Sequence, residues 1–227
     1  MTRMSSLLSP PHGVDVRNIC FPQRQAHTNN CSDCKSLAPT WEALAKTFSS
    51  EPSVVIAKMD ADAPTGKKTA NEQGVKSFPT IKYFPKGSTE AEAYSGARSE
   101  QAFVDFLNEK AGTHRMIGGL LDTTAGTIAA LDELVKKYTG KTEGISAVAA
   151  EVKDAALQLQ DKYAEYYVKV FDKLSANSGY VEKESKRLAG LVKKGGLAPE
   201  KLDDLMKRSN ILNRFREAVA AEPKQEL

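Results

Sequence analysis

Two cysteines separated by two residues, Cys31 and Cys34, are the residues of this chain best suited to covalent chemistry. They open the segment CSDCKSLAPTW, in which apolar residues recur at helical spacing. If a strand leads into this segment and a helix begins there, the unpaired amides and the helix dipole favour a thiolate over a thiol at Cys31. The spacing therefore predicts a dithiol–disulfide exchanger.

The elements that must position this pair follow it along the chain. Short apolar runs predict a buried strand at 54–57, a second strand at 80–84 and an edge strand at 92–94. Helical spacing predicts helices at 34–48, 65–71 and 100–110. We expect Ser99 to cap the last of these and Gly112 to end it.

The segment before the pair has little regular pattern. A cluster of breakers at 9–13 and a polar stretch at 22–30 predict irregular structure over residues 1–30. Residues 14–21 are the exception and could form one short strand. The segment also lacks the apolar core of a secretory signal peptide.

Beyond about residue 115 the β-branched runs disappear and helical spacing takes over. This change predicts a helical bundle over 118–221, with a domain boundary near Thr113. Residues 145–174 are compatible with one long helix or two shorter ones. Three tyrosines, Tyr163, Tyr166 and Tyr167, indicate core packing rather than a peptide-binding face, with Tyr167 off the main stripe and exposed.

Composition excludes several classes of function. The 227 residues carry a net charge of +3 that is spread evenly, so no basic stripe indicates nucleic-acid binding. No apolar run approaches the roughly 20 residues of a membrane span. Three cysteines are too few for a disulfide scaffold, and no cofactor is expected.

The first half resembles the catalytic thioredoxin-like domain of the protein disulfide isomerases. Four stretches carry the resemblance, in order: CKSLAPTW from Cys34, AKMDAD from Ala57, GVKSFPTIKYF from Gly74 and YSGAR from Tyr94. The resemblance implies an α/β thioredoxin-like domain over 31–113, incomplete at its N-terminus.

The resemblance also implies roles for individual residues. Pro79 would be the cis-proline that faces the cysteine pair and presents the backbone of Phe78 to an extended substrate strand. Arg98 would be the family arginine that swings toward the buried cysteine and lowers its pKa for reoxidation. Cys31 would attack the substrate disulfide, and Cys34 would resolve the mixed disulfide.

The second half resembles the all-helical, Windbeutel-like D-type domain that follows the thioredoxin modules in one subgroup of these isomerases. Residues 197–205 and 208–212 fit its last helices. In that context the tail 222–227, which ends in KQEL, is similar to an endoplasmic-reticulum retrieval signal. The resemblance implies a lumenal protein with unfolded or disulfide-containing clients and a possible retrieval receptor for KQEL.

The sequence departs from the family around the first cysteine. Asn30, Ser32 and Asp33 stand where the family motif WCGHC has tryptophan, glycine and histidine. A negative charge at Asp33 disfavours the thiolate and predicts a more reducing pair.

The strand that should deliver the first cysteine departs further. The candidate strand ends at Phe21, ten positions before Cys31, where the family allows only a few. Residues 1–33 are therefore expected not to be family sequence but the product of truncation or of a gene-prediction error. A signal peptide and a second thioredoxin domain would then lie upstream in the parent protein.

Two other functions fit parts of the chain. The departures from the WCGHC motif are compatible with a non-catalytic folding escort, which binds clients without redox chemistry. Alternatively, Cys20, His27, Cys31 and Cys34 together could supply four zinc ligands. Measuring bound zinc and comparing the activity of the chain with that of its Cys31→Ser form would separate these alternatives.

Overall fold

The computed structural model describes residues 16–21, 31–61, 63–138 and 144–220, with side chains described from residue 31 onward. The chain divides into two compact units, Met1–Leu120 and Leu121–Leu227. The first unit contains every strand of the described residues, and the second is helical. The predicted order, an α/β thioredoxin-like domain followed by an all-α bundle, is confirmed.

The first unit is built on a four-stranded mixed sheet. Its strands are β1 (Val16–Phe21), β2 (Val54–Lys58), β3 (Thr80–Phe84) and β4 (Glu92–Ala93), in the order β2-β1-β3-β4. Strands β1 and β2 are parallel, whereas β3 is antiparallel to both β1 and β4. All three predicted strands of this unit are present.

The central strand comes from the segment that was predicted to be irregular. β1 occupies most of the stretch 14–21, the only part of residues 1–30 with strand character, and it pairs with β2 and β3 at once. The prediction of a short strand within 14–21 is confirmed by Val16–Phe21, so residues 1–30 are not irregular throughout. The physical reason is that β2 and β3 each need a hydrogen-bonding partner, and this stretch supplies both ladders.

Three helices cover the sheet. They are α1 (Ser32–Thr47), α2 (Pro64–Glu72) and α3 (Glu100–Ala111). The ends of α3 are as predicted, because the Ser99 hydroxyl accepts a hydrogen bond from the Ala102 amide and Gly112 adopts a positive φ of 63°. Apolar residues of α1, α3, β2 and β3 form one core: Leu37, Trp41, Leu44, Phe48, Val54, Ile81, Tyr83, Phe103, Val104 and Leu107.

One strand is less buried than the sequence predicted. Val54 is buried, but Val55 is 42% exposed. β2 is an edge strand, paired with β1 alone among the described residues, and after Val54 its residues are half-buried or exposed. The apolar run at 54–57 therefore marks a strand at the edge of the sheet, where burial on both faces was expected.

The first unit extends past the predicted boundary near Thr113 to Leu120. Arg115 holds this extension in place, since its buried guanidinium contacts Glu51 Oε2 at 3.2 Å and donates to the carbonyl of Gly119 at 2.9 Å. The side-chain oxygen of Asn108 also accepts a hydrogen bond from the Arg115 amide at 2.9 Å. Long-range contacts of this kind leave no mark on local composition.

The second unit contains five helices among its described residues. They are α4 (Ala129–Val135), α5 (Ile145–Leu159), α6 (Lys162–Ala176), α7 (Tyr180–Lys194) and α8 (Pro199–Ala220). Of the two alternatives left open for 145–174, the structure has two helices. Gln160 turns the chain with φ 48°, and the Asp161 carboxylate caps α6 by accepting hydrogen bonds from the amides of Tyr163 and Ala164.

The expectation that Tyr167 is exposed is wrong, because its side chain is completely buried. Its hydroxyl donates to Asp132 Oδ1 on α4 and accepts from the Ile128 amide at 3.2 Å, and its ring packs near Phe215 of α8. The buried face of α6 is broader than the apolar stripe that the sequence pattern indicates. Tyr167 therefore lies in the core although it is off that stripe.

No helix in the described parts of the chain combines the length and the apolar composition that crossing a membrane requires.

Candidate active site

The cysteine pair lies at the start of α1, as the spacing predicted. Cys31 is the N-cap residue, and its sulfur accepts a hydrogen bond from the Cys34 amide at 3.2 Å. The two sulfurs are joined in a disulfide. Cys31 is half-buried, whereas Cys34 is only 4% exposed, so a substrate can reach the first sulfur more readily than the second.

This arrangement suits thiol–disulfide exchange. In the reduced state, the amide of the first helical turn would stabilise negative charge on the Cys31 sulfur, which makes it the better nucleophile. The buried Cys34 sulfur is within bonding reach of Cys31, so it can displace whatever becomes attached there. The two cysteines therefore differ in accessibility and in the backbone amide that each contacts.

A proline loop faces the first cysteine. The Phe78–Pro79 peptide bond is cis, and Pro79 is buried immediately before β3. The carbonyl oxygen of Phe78 lies 3.9 Å from the Cys31 sulfur. The Thr80 hydroxyl donates to the carbonyl of Ser77 at 2.6 Å and so closes the loop on itself. The structure therefore brings together three of the predicted site residues, Cys31, Cys34 and Phe78, with Pro79 next to them.

Arg98 also contacts this loop, but at a position that the sequence did not predict. Its side chain is exposed, and Nη2 donates to the carbonyl oxygen of Pro79 at 3.3 Å. The resemblance implied that this arginine acts on the buried cysteine, Cys34. In the oxidised structure, the hydrogen bond that Arg98 makes is to the proline loop.

Sequence reasoning did not single out two residues near Arg98, Tyr94 and Gly96, which contact each other. The Tyr94 hydroxyl donates to the carbonyl of Ala97 at 2.7 Å, and Gly96 packs directly against the Tyr94 ring. Burial raises the pKa of Tyr94, and the charge of Asp105 raises it further, so its hydroxyl stays protonated as a donor. The sequence signal for both residues is the stretch YSGAR, which includes them together with Arg98.

Asp33 lies between the two cysteines in the first turn of α1, where its side chain is exposed. The strand predicted to deliver Cys31 is represented by β1, which ends at Phe21. Phe21 pairs with Thr80, so the end of β1 lies beside the proline loop. Residues 22–30, which connect β1 to the cysteine pair, lie outside the described residues.

The zinc alternative is not supported by the described part of the chain. Cys31 and Cys34 are bonded to each other, and no group of three or more potential metal-ligating residues occurs among the described residues. The side chain of Cys20 and the whole of His27 lie outside those residues. The terminal KQEL tetrapeptide lies outside them as well.

Comparison with protein families separates the same two parts. Residues 26–109 match the model for Thioredoxin, and residues 126–215 match the model for the endoplasmic reticulum protein ERp29, C-terminal domain. The chain therefore consists of a thioredoxin domain followed by an ERp29-type helical domain. The match to the thioredoxin model begins at residue 26, so it includes part of the segment 1–33 that was expected not to be family sequence.

Several relatives that match most of this chain carry the name protein disulfide-isomerase. The chain is 60% identical over 201 residues to protein disulfide-isomerase erp38 of Neurospora crassa, covering 87% of this chain and 54% of the relative. It is 64% identical over 185 residues to protein disulfide-isomerase tigA of Aspergillus niger, covering 82% and 50%. A relative in Schizosaccharomyces pombe, protein disulfide-isomerase C17H9.14c, is 40% identical over 187 residues, covering 82% and 52%.

The chain thus spans about half the length of the relatives it matches. The resemblance to a disulfide isomerase with a thioredoxin domain and a D-type helical domain is confirmed.

Proposed function

We propose that this chain catalyses thiol–disulfide exchange on folding client proteins, as a protein disulfide isomerase. One observation supports this most directly: a half-buried Cys31 and a buried Cys34 share the first turn of α1, with the Cys31 sulfur 3.9 Å from the Phe78 carbonyl. The similarity to protein disulfide-isomerases supports the same reaction.

The reaction proceeds in two displacements. The Cys31 thiolate attacks one sulfur of a client disulfide, which forms a mixed disulfide and releases the other client sulfur as a thiolate. The Cys34 thiolate then attacks the Cys31 sulfur, closes the Cys31–Cys34 disulfide and releases the second client thiol. Two electrons pass from the protein to the client, and the reverse sequence oxidises a client dithiol.

Three residue roles are part of this proposal. Cys31 is the attacking residue and Cys34 the resolving residue, while the backbone of Phe78, presented by Pro79, docks an extended stretch of the client. A polypeptide backbone can pair with an exposed carbonyl in this way without regard to its side chains, which suits an enzyme with many clients.

Insulin reduction by dithiothreitol tests the proposal. The wild-type chain should accelerate it, the Cys31→Ser variant should lose the acceleration, and Cys20→Ser should retain it as a matched control for loss of a cysteine. Equal, slow rates for the wild-type and Cys31→Ser chains would instead support the non-catalytic escort.

We also propose an endoplasmic-reticulum location, supported by the ERp29-type domain and the terminal KQEL. A secreted reporter protein that ends in residues 222–227 should be retained inside cells through a retrieval receptor. The same reporter ending in a scrambled tail is the control, and equal secretion of the two would contradict a retrieval role.

A further inference from the structure

We infer that Arg98 is a positioning residue for client docking, and that Tyr94 and Gly96 hold it in place. This inference rests on the proposed exchange activity and assigns a function to the stretch YSGAR as a unit. The guanidinium acts on the Pro79 carbonyl, and it sets where a docked client lies relative to the Cys31 sulfur.

The first step is the anchor. The Tyr94 ring packs against Phe103 and Phe106, each with a centroid distance of 5.0 Å. Both phenylalanines belong to α3, and Phe103 is part of the buried core. The Tyr94 amide also donates to the carbonyl of Ile81 on β3 at 3.0 Å, so both the backbone and the ring of this residue are fixed.

The second step connects the anchor to the arginine. The Tyr94 hydroxyl donates to the Ala97 carbonyl, which belongs to the peptide group leading into Arg98. Gly96 fits beneath the same ring with no room to spare, since an added Cβ would lie 2.5 Å from the Tyr94 hydroxyl oxygen and 2.7 Å from Cζ. Ser99, the cap of α3, fixes the other side of Arg98.

The third step is the contact with the proline loop. Arg98 Nη2 donates to the Pro79 carbonyl at 3.3 Å, and the preceding residue, Phe78, presents its carbonyl to the Cys31 sulfur at 3.9 Å. A charge-assisted hydrogen bond to one peptide group of a tight loop restricts its neighbours. The contacts therefore run without a gap from the core, through Tyr94 and Arg98, to the docking backbone at Phe78.

The two possible roles of Arg98, positioning the proline loop and acting on Cys34, predict different effects of its removal. A positioning arginine affects clients that dock as extended polypeptide, because only they use the Phe78 backbone. An arginine that acts on Cys34 affects every disulfide equally and changes how the rate depends on pH. Peptide disulfides and small disulfides such as cystamine therefore distinguish the two roles.

The experiment compares Arg98→Gln and Gly96→Ala with wild type on a disulfide-bonded peptide and on cystamine. We expect both variants to raise KM for the peptide about tenfold, as for loss of one charge-assisted hydrogen bond. The rate with cystamine and the pH profile of cysteine alkylation should stay unchanged. Arg98→Lys should restore part of the peptide KM, because it retains one charged donor.

Two substitutions in the helical unit serve as matched controls. Gly190→Ala adds a methyl group where nothing lies within 4 Å, and Arg216→Gln removes an exposed guanidinium. Neither should change any of these rates.

The inference is overturned if Arg98→Gln alters the cystamine rate or the pH profile while the peptide KM stays at its wild-type value. A wild-type KM for Gly96→Ala would overturn it too. If the wild-type chain reduces neither substrate, the proposed function fails separately. Amide hydrogen exchange at Phe78 and Thr80 would still test the positioning of the loop. Faster exchange in both variants, with no change in the controls, would establish it. Unchanged exchange in the variants would refute it.

Discussion

The sulfur of Cys31 lies 3.9 Å from the carbonyl oxygen of Phe78, although the two residues are 47 positions apart in the chain. Cys31 begins α1, and Phe78 belongs to the loop before β3. The reactive sulfur and the backbone that would dock a client therefore come from separate elements. In the proposed reaction, this proximity would let a docked polypeptide present its disulfide directly to Cys31.

Removing the resolving cysteine should trap the reaction halfway. In Cys34→Ser the Cys31 thiolate still attacks a client disulfide, but no second sulfur is available to release the client. We expect mixed disulfides to accumulate, visible as higher-mass bands on non-reducing gels that disappear on reduction. Cys20→Ser should show no such bands, and equal trapping by Cys20→Ser would contradict the assignment of Cys34.

The charge between the cysteines should set the redox balance. Replacing Asp33 by histidine removes a negative charge and adds a group that favours the Cys31 thiolate, which stabilises the reduced form. The reduction potential should rise by about 30 mV, roughly tenfold in the exchange equilibrium constant. Equilibration with glutathione measures it. Glu42→His, an exposed acidic position further along α1, should leave the potential unchanged.

The buried Arg115–Glu51 pair should govern the stability of the thioredoxin unit. Arg115→Gln leaves Glu51 without its cation and frees the carbonyl of Gly119, at a cost of about 3 kcal/mol in unfolding free energy. The single tryptophan, Trp41, lies in this unit, so its fluorescence during urea unfolding reports the change. Lys110→Gln, which breaks the more exposed pair with Glu92, should cost much less than Arg115→Gln, because solvent screens that pair.

The helical unit should depend on the hydroxyl of Tyr167. Tyr167→Phe keeps the packed ring but leaves Asp132 and the Ile128 amide each without one partner. Such a loss inside a folded unit costs about 1–3 kcal/mol. Hydrogen exchange of the buried α8 amides at Ile211 and Leu212 should quicken accordingly. In Tyr163→Phe, where the side chain is only half-buried, the change should be much smaller.

One carboxylate should make the helical unit sensitive to acid. Hydrogen bonds from Arg187 hold the pKa of Glu184 below its ordinary value, while burial opposes them. Because the pKa is lower in the folded state, this stabilisation is present above the unfolded-state value of about 4.3 and is lost as the pH falls through the folded value.

Glu184→Gln should therefore lower the unfolding free energy at neutral pH by about 0.5 kcal/mol, a small value because Arg187 is half-exposed. The difference from wild type should vanish in acid. Urea unfolding at several pH values, monitored by hydrogen exchange of the α8 amides, measures this difference in unfolding free energy. Glu182→Gln, which breaks an exposed ion pair on the same helix, is the control, and a pH-independent loss at Glu184 would contradict the explanation.

Local signals predicted much of the fold. Helical spacing placed α1, and the Ser99 and Gly112 caps gave the limits of α3. These signals succeed because hydrogen bonds at a helix end involve residues only a few positions apart. The break between α5 and α6 was harder to place, because Gln160 adopts a left-handed conformation without the glycine that usually marks one.

Signals that depend on distant partners failed. Tyr167 lies off the main stripe of α6, which predicts exposure, yet it is completely buried. Val55 belongs to an apolar run, which predicts burial, yet it is 42% exposed. In both cases burial depends on which other element covers the residue. The same reason applies to the central position of β1 in the sheet. That position depends on hydrogen bonding to β2 and β3, which lie far along the chain.

The sequence by itself determined which residues can react and where α1 and α3 lie, because spacing, capping and side-chain chemistry are local properties. It placed the cysteine pair at a helix start and divided the chain into an α/β part and a helical part. Only the tertiary structure decided that Cys31 faces Phe78 and that Arg98 binds Pro79. Those distances join elements that are far apart in the chain, and the packing of the sheet and α3 sets them.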